Sequence, residues 1–569
     1  MKKINFLIYL IFFLIIILFF YLLNKKLYYY KKYIEENFSN KCSLTSNPGQ
    51  KYKNLSGCDL TNQNFSNYDL YNINLTNANL TNTNLTNTNF INPKKYSNLK
   101  IANKGLNSLI NTNLTGIISG GIKGNPKLPN KYLLIGGYII GPKVNLTDAN
   151  LSGLNLTNAN LTNANLTNAN LTNAILTNTI LTGTNLKNVI SEGIKGNPIL
   201  PDGYSLIGKY IIGPKVNLIG ANLSGINLTG ANLTDAILTS VNLSGLNLTG
   251  INLTNANLTS ANLTNTNLTN VILINATLTN STLTGANLTN TNLTGTNLTN
   301  VISERIIGNP ILPSQFSLKE GYIFGPGVNL SGSNLTNFNQ LHRNLNSVNL
   351  SGANLTNAKM NSSMLDKANL TSANLTGANL SAAYLTDANL TGAILIGAIL
   401  TNTHLSLSNL TGANLTNAKF TNTNLVGATL DRTNLTNTKI ENILNLKIKK
   451  NTILPREYLF INGYAIGPSV NLTDTDLTGA DLTSANLTNA KLINTNLTNV
   501  NLTNANLTGA NLTGANLKDA NLKDADLTYT DLTNANITNA FGEKIKIKGK
   551  PRVLPNGYKF VNKSIYKNI

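Results

Sequence analysis

Residues 145–169 read NLTDA NLSGL NLTNA NLTNA NLTNA, with one large aliphatic residue at every fifth position. A helix advances about 100° per residue, so a leucine every five residues walks around its surface and builds no apolar stripe. A continuous strand alternates faces every two residues, so a period of five throws successive leucines onto opposite sides. The pattern therefore requires a chain that bends the same way after each unit, so that every leucine points at one common axis. Two residues before each leucine a small residue (Ala, Thr, Ser, sometimes Gly) shares its parity and also points inward. The Asn, Thr and last residue of the unit face water. Four units at right angles close one turn. Stacked turns pair backbone with backbone at strand spacing, about 4.8 Å. Asn and Gly suit the corners because both tolerate turn dihedrals.

The motif A-[N/D]-L-x-x, nearly unbroken over residues 149–173 and 480–528, resembles that of the pentapeptide-repeat proteins. The resemblance covers most of the chain and implies an all-β fold, a right-handed quadrilateral parallel β-helix. Its repeat carries packing rather than chemistry, so function does not follow from the fold. Two roles known in the family are weighed against the residues. Topoisomerase-protecting members mimic DNA with an acidic rod, whereas Asp235 is the sole charged residue of 218–300 here. A Thr-rich flat face can bind ice, but the outward Thr here is flanked by Asn. In style, the Asn, Ile and Lys bias joined to repeats and hairpins resembles membrane-anchored proteins encoded by giant DNA viruses of amoebae.

The register of the central residue divides the chain. Repeat blocks run over 55–90, 146–186, 218–300, 330–440 and 472–540. The fourth stumbles where Gln340 takes a central position and Leu341 follows it; Phe338, His342 and Arg343 surround the break, which reads as a local bulge or loop and as a candidate interaction site. Segment 91–145 combines an irregular stretch with a first hairpin module, and further modules occupy 187–217, 301–329 and 441–471. Their texts align, from GNPKLPNKYLLIGGYIIGPKVNL at 124–146 to KNTILPREYLFINGYAIGPSVNL at 450–472. Each has two short apolar runs around a two-residue turn such as Asn462-Gly463, a strong hairpin signal. A last copy at 541–569 ends the chain. Because a β-helix end exposes unpaired backbone and bare leucines, the modules read as junctions or caps between rods, their tyrosines (Tyr138, Tyr210, Tyr322, Tyr464) covering coil leucines.

At the amino terminus, residues 4–23 form an uncharged bulky apolar run of about the 20 residues that a membrane-crossing helix needs. A juxtamembrane segment, 24–54, follows with Tyr28, Tyr29, Tyr30 and several lysines. The expectation is a retained single-pass transmembrane anchor, with the lysine balance placing the repeats in the cytosol.

The formal net charge is +21, but the excess sits before residue 105, in the connectors and in the tail. No basic face tracks along the repeats, so no nucleic-acid partner is expected. Cys58 takes a small inward position before Leu60; a disulfide to Cys42 is open to it, while the commoner arrangement is a buried small residue and a spare thiol. His342 and His404 are the two histidines. They lie far from each other and from a carboxylate, and His404 replaces an outward Asn as a solvated side chain. Metal-ligand spacing, phosphate loops and nucleophile motifs are missing from the chain, so no catalytic residue, metal or cofactor is expected. The reading is a non-enzymatic, membrane-anchored spacer or protein-binding scaffold, its protein partner unidentified, with self-association through exposed rod ends. The alternative is an inhibitor or regulator of one macromolecular target.

Overall fold

The computed structural model describes residues 21–28, 42, 54–70, 73–91, 108–443, 446–540, 544–546, 550–562 and 564–567. The chain divides into two compact units, Met1–Thr239 with Ile251–Ala256, and Ser240–Gly250 with Asn257–Ile569. Each is built from the same coil.

In the first unit, Asn150 bridges Asn170 in parallel, Asn155 bridges Ile175 and Asn160 bridges Ile180. The uniform step of twenty residues means four five-residue units per turn. Leu151 therefore lies under Leu171, and its amide donates to Asn170 O at 2.8 Å. Leu151, Leu156, Leu161, Leu166 and Leu171 are fully buried, as are Ala159, Ala164 and Ala169 at the small inward positions. Burying each leucine contributes about 1.5–3 kcal/mol.

The bend is a tight turn. Ala159 N–H donates to Leu156 O at 3.0 Å, and Asn158, the third residue of that turn, has φ 58°. A positive φ at this place is what a type II turn demands, and Asn tolerates it better than other side-chain-bearing residues. Where Thr replaces the small Ala, its hydroxyl stays satisfied: Thr179 Oγ1 donates to Leu156 O of the preceding coil at 2.7 Å. That bond removes the penalty of a buried, unpaired hydroxyl.

The second unit repeats this ladder, for example Asn349 to Asn369 to Asn389 to Asn409, and Asn471 to Lys491 to Asn511 to Asp531. No bulge interrupts it at the fourth-block stumble. Asn339 still bridges Lys359 and Asn344 still bridges Met364, both at the ordinary step.

Antiparallel hairpins form, for instance Leu133–Ile135 with Tyr138–Ile140 and Leu459–Ile461 with Tyr464–Ile466. Both residues of each of these turns have positive φ (Gly136, Gly137; Asn462, Gly463), the geometry that suits the twist of two strands. The interior hairpins are not junctions between separate rods. Ile118 bridges Asn145 and Asn145 bridges Asn165; Ile190 bridges Asn217; Ile302 bridges Asn329 and Asn329 bridges Asn349. Each hairpin is thus a lengthened side of one coil, and the ladder closes again beyond it. A coil needs one bend per side, and a hairpin whose ends meet the same two neighbours can replace a bend without breaking the stack. At the chain's end, Ser564–Lys567 pairs with both Tyr558–Val561 and Lys544–Lys546, and Ile565 joins the core formed by Leu532, Ile537 and Ala540.

Two further expectations are corrected. A single-pass anchor over 4–23 is not upheld: among the described residues no helix is long and apolar enough to cross a membrane. The helical residues described there, 21–28, include Asn24, Lys25 and Lys26. The rest of that run, 4–20, lies outside the described residues, as do Tyr29, Tyr30 and 92–107. Cys42 and Cys58, in turn, are joined in a disulfide with Cα atoms 5.6 Å apart, not left as spare thiols.

Candidate interaction surface

The outward side chains are bonded mainly to one another. Asn145 Oδ1 accepts from Thr147 N–H (3.1 Å) and Thr147 Oγ1 (2.6 Å), while Asn165 Nδ2 of the next coil donates to Thr147 Oγ1 at 3.1 Å. Asn165 and Thr167 pass the same relay to Asn185. At the corners, Asn168 donates to Asp148 and Asn188 to Asn168. Where Asp replaces Asn, as at Asp59, Asp476, Asp481 and Asp531, hydrogen bonds from the Thr two residues on hold the carboxyl below its usual range. Asp531 also binds Arg552 at 2.6 Å.

The hairpins dock through a recurring set of groups. Buried Ser119, Ser191 and Ser303 stand where a coil leucine would, and each Oγ accepts the N–H of Ile139, Ile211 or Ile323 at 2.9 Å. Those isoleucines are buried and fill the space the serines leave. Tyr132, Tyr204 and Tyr458 lay their rings over Gly141, Gly213 and Gly467, where a Cβ would collide with the ring. Their hydroxyls donate to Pro142 O (3.1 Å), Pro214 O (2.8 Å) and Pro468 O (2.8 Å). Burial pushes all three phenols above their usual pKa. Tyr138 and Tyr464 pack against the leucine core from the side of the coil.

The candidate site of the fourth block separates into buried and exposed parts. Phe338 occupies a small inward position at 2 % exposure. Its ring stacks on Phe324 of the third hairpin (centroids 4.2 Å, 26°), and Lys319 Nζ lies 5.9 Å from its centroid. Gln340 fills a leucine position, its Oε1 accepting from Arg343 Nε at 2.7 Å. Arg343 and His342 are exposed, and His342 sits at a corner with φ 56°. Leu154 and Ile226 are likewise enlarged small positions, lying against Gly136 and Gly208 at the tips of the first two hairpins. An oversized residue eighteen positions after a hairpin turn begins is therefore the sequence signature of a covered coil, although Ala480 after the fourth hairpin stays small.

A second irregularity escaped the sequence reading. Met364 bridges Tyr384 and Tyr384 bridges His404, stacking three non-Asn side chains on one face. The Tyr384 and His404 rings are parallel, with centroids 4.6 Å apart and 6° between planes. On the same face Leu407 donates its amide to Val426 O at 2.9 Å. Met364 is 39 %, Tyr384 43 %, Leu407 61 % and Val426 54 % exposed. Leu407 also holds φ 59°, a conformation costing an L-residue roughly 1 kcal/mol or more. His404 is thus a stacked ring, not an isolated solvated one; reading the chain at a step of twenty would have found it.

Five-residue units, four to a turn, with inward Leu and Ala, define a parallel β-helix of the pentapeptide type. A family model described as pentapeptide repeats matches residues 54–90, 144–189, 215–250, 236–273, 261–300, 327–361, 363–402, 408–443, 469–504 and 505–541. The chain belongs to the pentapeptide-repeat family. Among solved structures, it is similar to HetL, a pentapeptide repeat protein involved in heterocyst differentiation regulation from the cyanobacterium Nostoc sp. strain PCC 7120, with 26 % identity over 49 % of this chain and 88 % of that one (TM-score 0.16). It is also similar to Rfr23 from the cyanobacterium Cyanothece 51142, with 27 % identity over 22 % and 90 % of the chains (TM-score 0.16). QnrB1, a plasmid-mediated fluoroquinolone resistance protein, matches with 15 % identity over 40 % and 92 % (TM-score 0.17). A comparison with curated proteins finds no match.

Proposed function

We propose that this protein is a non-enzymatic scaffold that holds a protein partner against its β-helical surface, with the long uniform stretches acting as spacer. The observation that carries this reading is the contrast in the outward lattice. Over most coils Asn and Thr satisfy one another along the stack, leaving few groups free to act on a substrate. In the fourth block Met364, Tyr384, Leu407 and Val426 replace that lattice with exposed apolar surface, and Leu407 does so in an unfavourable backbone conformation. Exposed apolar groups held at such a cost are characteristic of recognition surfaces. His342, at a corner, and Arg343, an exposed side chain at the small position before Leu345, supply polar groups in the same block.

The alternative of a target-binding inhibitor resembling the resistance proteins is the weaker reading, since the acidic character it calls for does not recur along these coils. The test is affinity capture with the full chain and with a Tyr384→Asn/Leu407→Asn variant, which restores the ordinary lattice residues. A partner retained by the wild type and lost by the variant supports the scaffold reading. Partners captured equally by both would move the binding role away from the fourth block.

A further inference from the structure

We propose that the Cys42–Cys58 disulfide is a redox-sensitive lock on the amino-terminal end of the coil stack. Cys58 takes the small inward position of the first described coil and is buried. The second coil already covers one side of it, with Asn79 N–H donating to Cys58 O at 2.9 Å. Among the described residues no coil pairs with the other side of it, and Cys42 is bonded to it from outside that ladder. Cys42, sixteen residues earlier, packs against the core that contains Leu55, Leu60, Phe65 and Leu70. Those four residues are buried although the described ladder pairs their coil on one side only, through bridges such as Asn54 to Asn74 and Asp59 to Asn79.

An unprotected β-helix end presents unpaired backbone and bare apolar side chains, a template for association with another copy. The disulfide tethers Cys42 over that end. A dithiol reductant would transfer two electrons and two protons to the bond, giving two thiols and leaving the reductant as its cyclic disulfide. Cys58 would remain as a small inward residue, so the coil itself keeps its packing. What is lost is the tether. Closing a loop of this length favours the held state by roughly a hundredfold. The device is independent of any partner bound by the fourth block.

The experiment compares the full chain, air-oxidised and after dithiothreitol, by amide hydrogen exchange of residues 54–70 and by molar mass in solution. Thiol alkylation counts the free cysteines in each sample. Cys42→Ser and Cys58→Ala are measured alongside, the latter restoring the small residue that the repeat ordinarily uses. Reduction should accelerate exchange at 54–70 by tenfold or more, within the roughly hundredfold limit, and raise the molar mass. Both variants should match the reduced wild type whether or not reductant is present. Exchange at 146–186 should be the same in every sample, showing that the coil remains folded. Exchange at 54–70 that is unchanged by reduction, or two free thiols in the oxidised protein, would overturn the proposal.

Discussion

The second and fourth repeat blocks share a backbone and differ in what they tolerate. Over 146–186 nearly every inward site is Leu or a small residue and most outward sites are Asn or Thr. Over 330–440 the inward sites also accept Phe338, Gln340 and Met360, and the outward sites Met364, Tyr384 and His404, with no change in the step of the ladder. The backbone hydrogen bonds set the coil, and side chains are free to vary wherever another group supplies the missing volume or partner. Phe338 has Phe324, Gln340 has Arg343, and Tyr384 has His404. In the regular block the enlarged Leu154 has Gly136 of the first hairpin, while its neighbours keep the ordinary residues.

The sharpest way to break this comparison is to place a charge inside the regular block. Leu156→Asp strands a carboxylate among apolar neighbours and should cost 4–5 kcal/mol, roughly, or unfold coils on both sides. Loss of amide protection across 146–186 is the readout; retained protection would mean that the block compensates as the fourth one does. Phe338→Ala should cost about 3–5 kcal/mol, because the third hairpin loses its stacked ring and a void remains. A double-mutant cycle with Phe324→Ala, followed by chemical denaturation, should return a coupling of about 0.5–1.5 kcal/mol. Zero coupling would show that the two rings are neighbours without being partners.

Ser303→Ala removes the acceptor of the Ile323 N–H and should cost about 1–3 kcal/mol, concentrated in faster exchange of 317–324. Tyr384→Asn restores the ordinary lattice residue and should change stability by about 1 kcal/mol or less. A large loss in that variant would make the Tyr384–His404 stack a structural element and not a spare surface.

The smallest effect is expected from acid. Asp476, Asp481 and Asp531 have folded-state pKa values below the ordinary 3.8, chiefly through hydrogen bonds from Thr478, Thr483 and Thr533. A depressed carboxyl adds stability that is complete above its unfolded pKa and disappears as pH falls through its folded one. The fifth block should therefore lose stability below about pH 4, more than the second block, which has Asp148 alone. Thermal melting across that window should show the difference, and Asp476→Asn/Asp481→Asn should flatten it.

Most of the coil was legible because its information is local. One leucine in five excludes helix and long strand, the small residue beside it names the second inward site, and Asn or Gly at the third turn residue marks most corners. Hairpin positions were legible for the same reason, through two-residue turns between apolar runs. The role of the hairpins was not. Whether a hairpin ends a stack or lies along its side depends on Ile118 finding Asn145 and Ile302 finding Asn329, and no residue inside the module records that pairing. The Ser-to-Ile docking bonds were missed because Ser119, Ser191 and Ser303 look like weak copies of a leucine position.

By itself, the sequence determined which side of every unit faces inward, where the chain turns and where the hairpins arise, since each depends on residues within one unit or its neighbour. Only the tertiary structure decided that the hairpins are sides of continuous coils, that Cys42 reaches Cys58, and that Tyr384 and His404 form one stacked surface. Those outcomes join residues sixteen or more positions apart. The repeat makes every unit locally alike, so which copies become neighbours is set by coil closure and not by the residues' own chemistry.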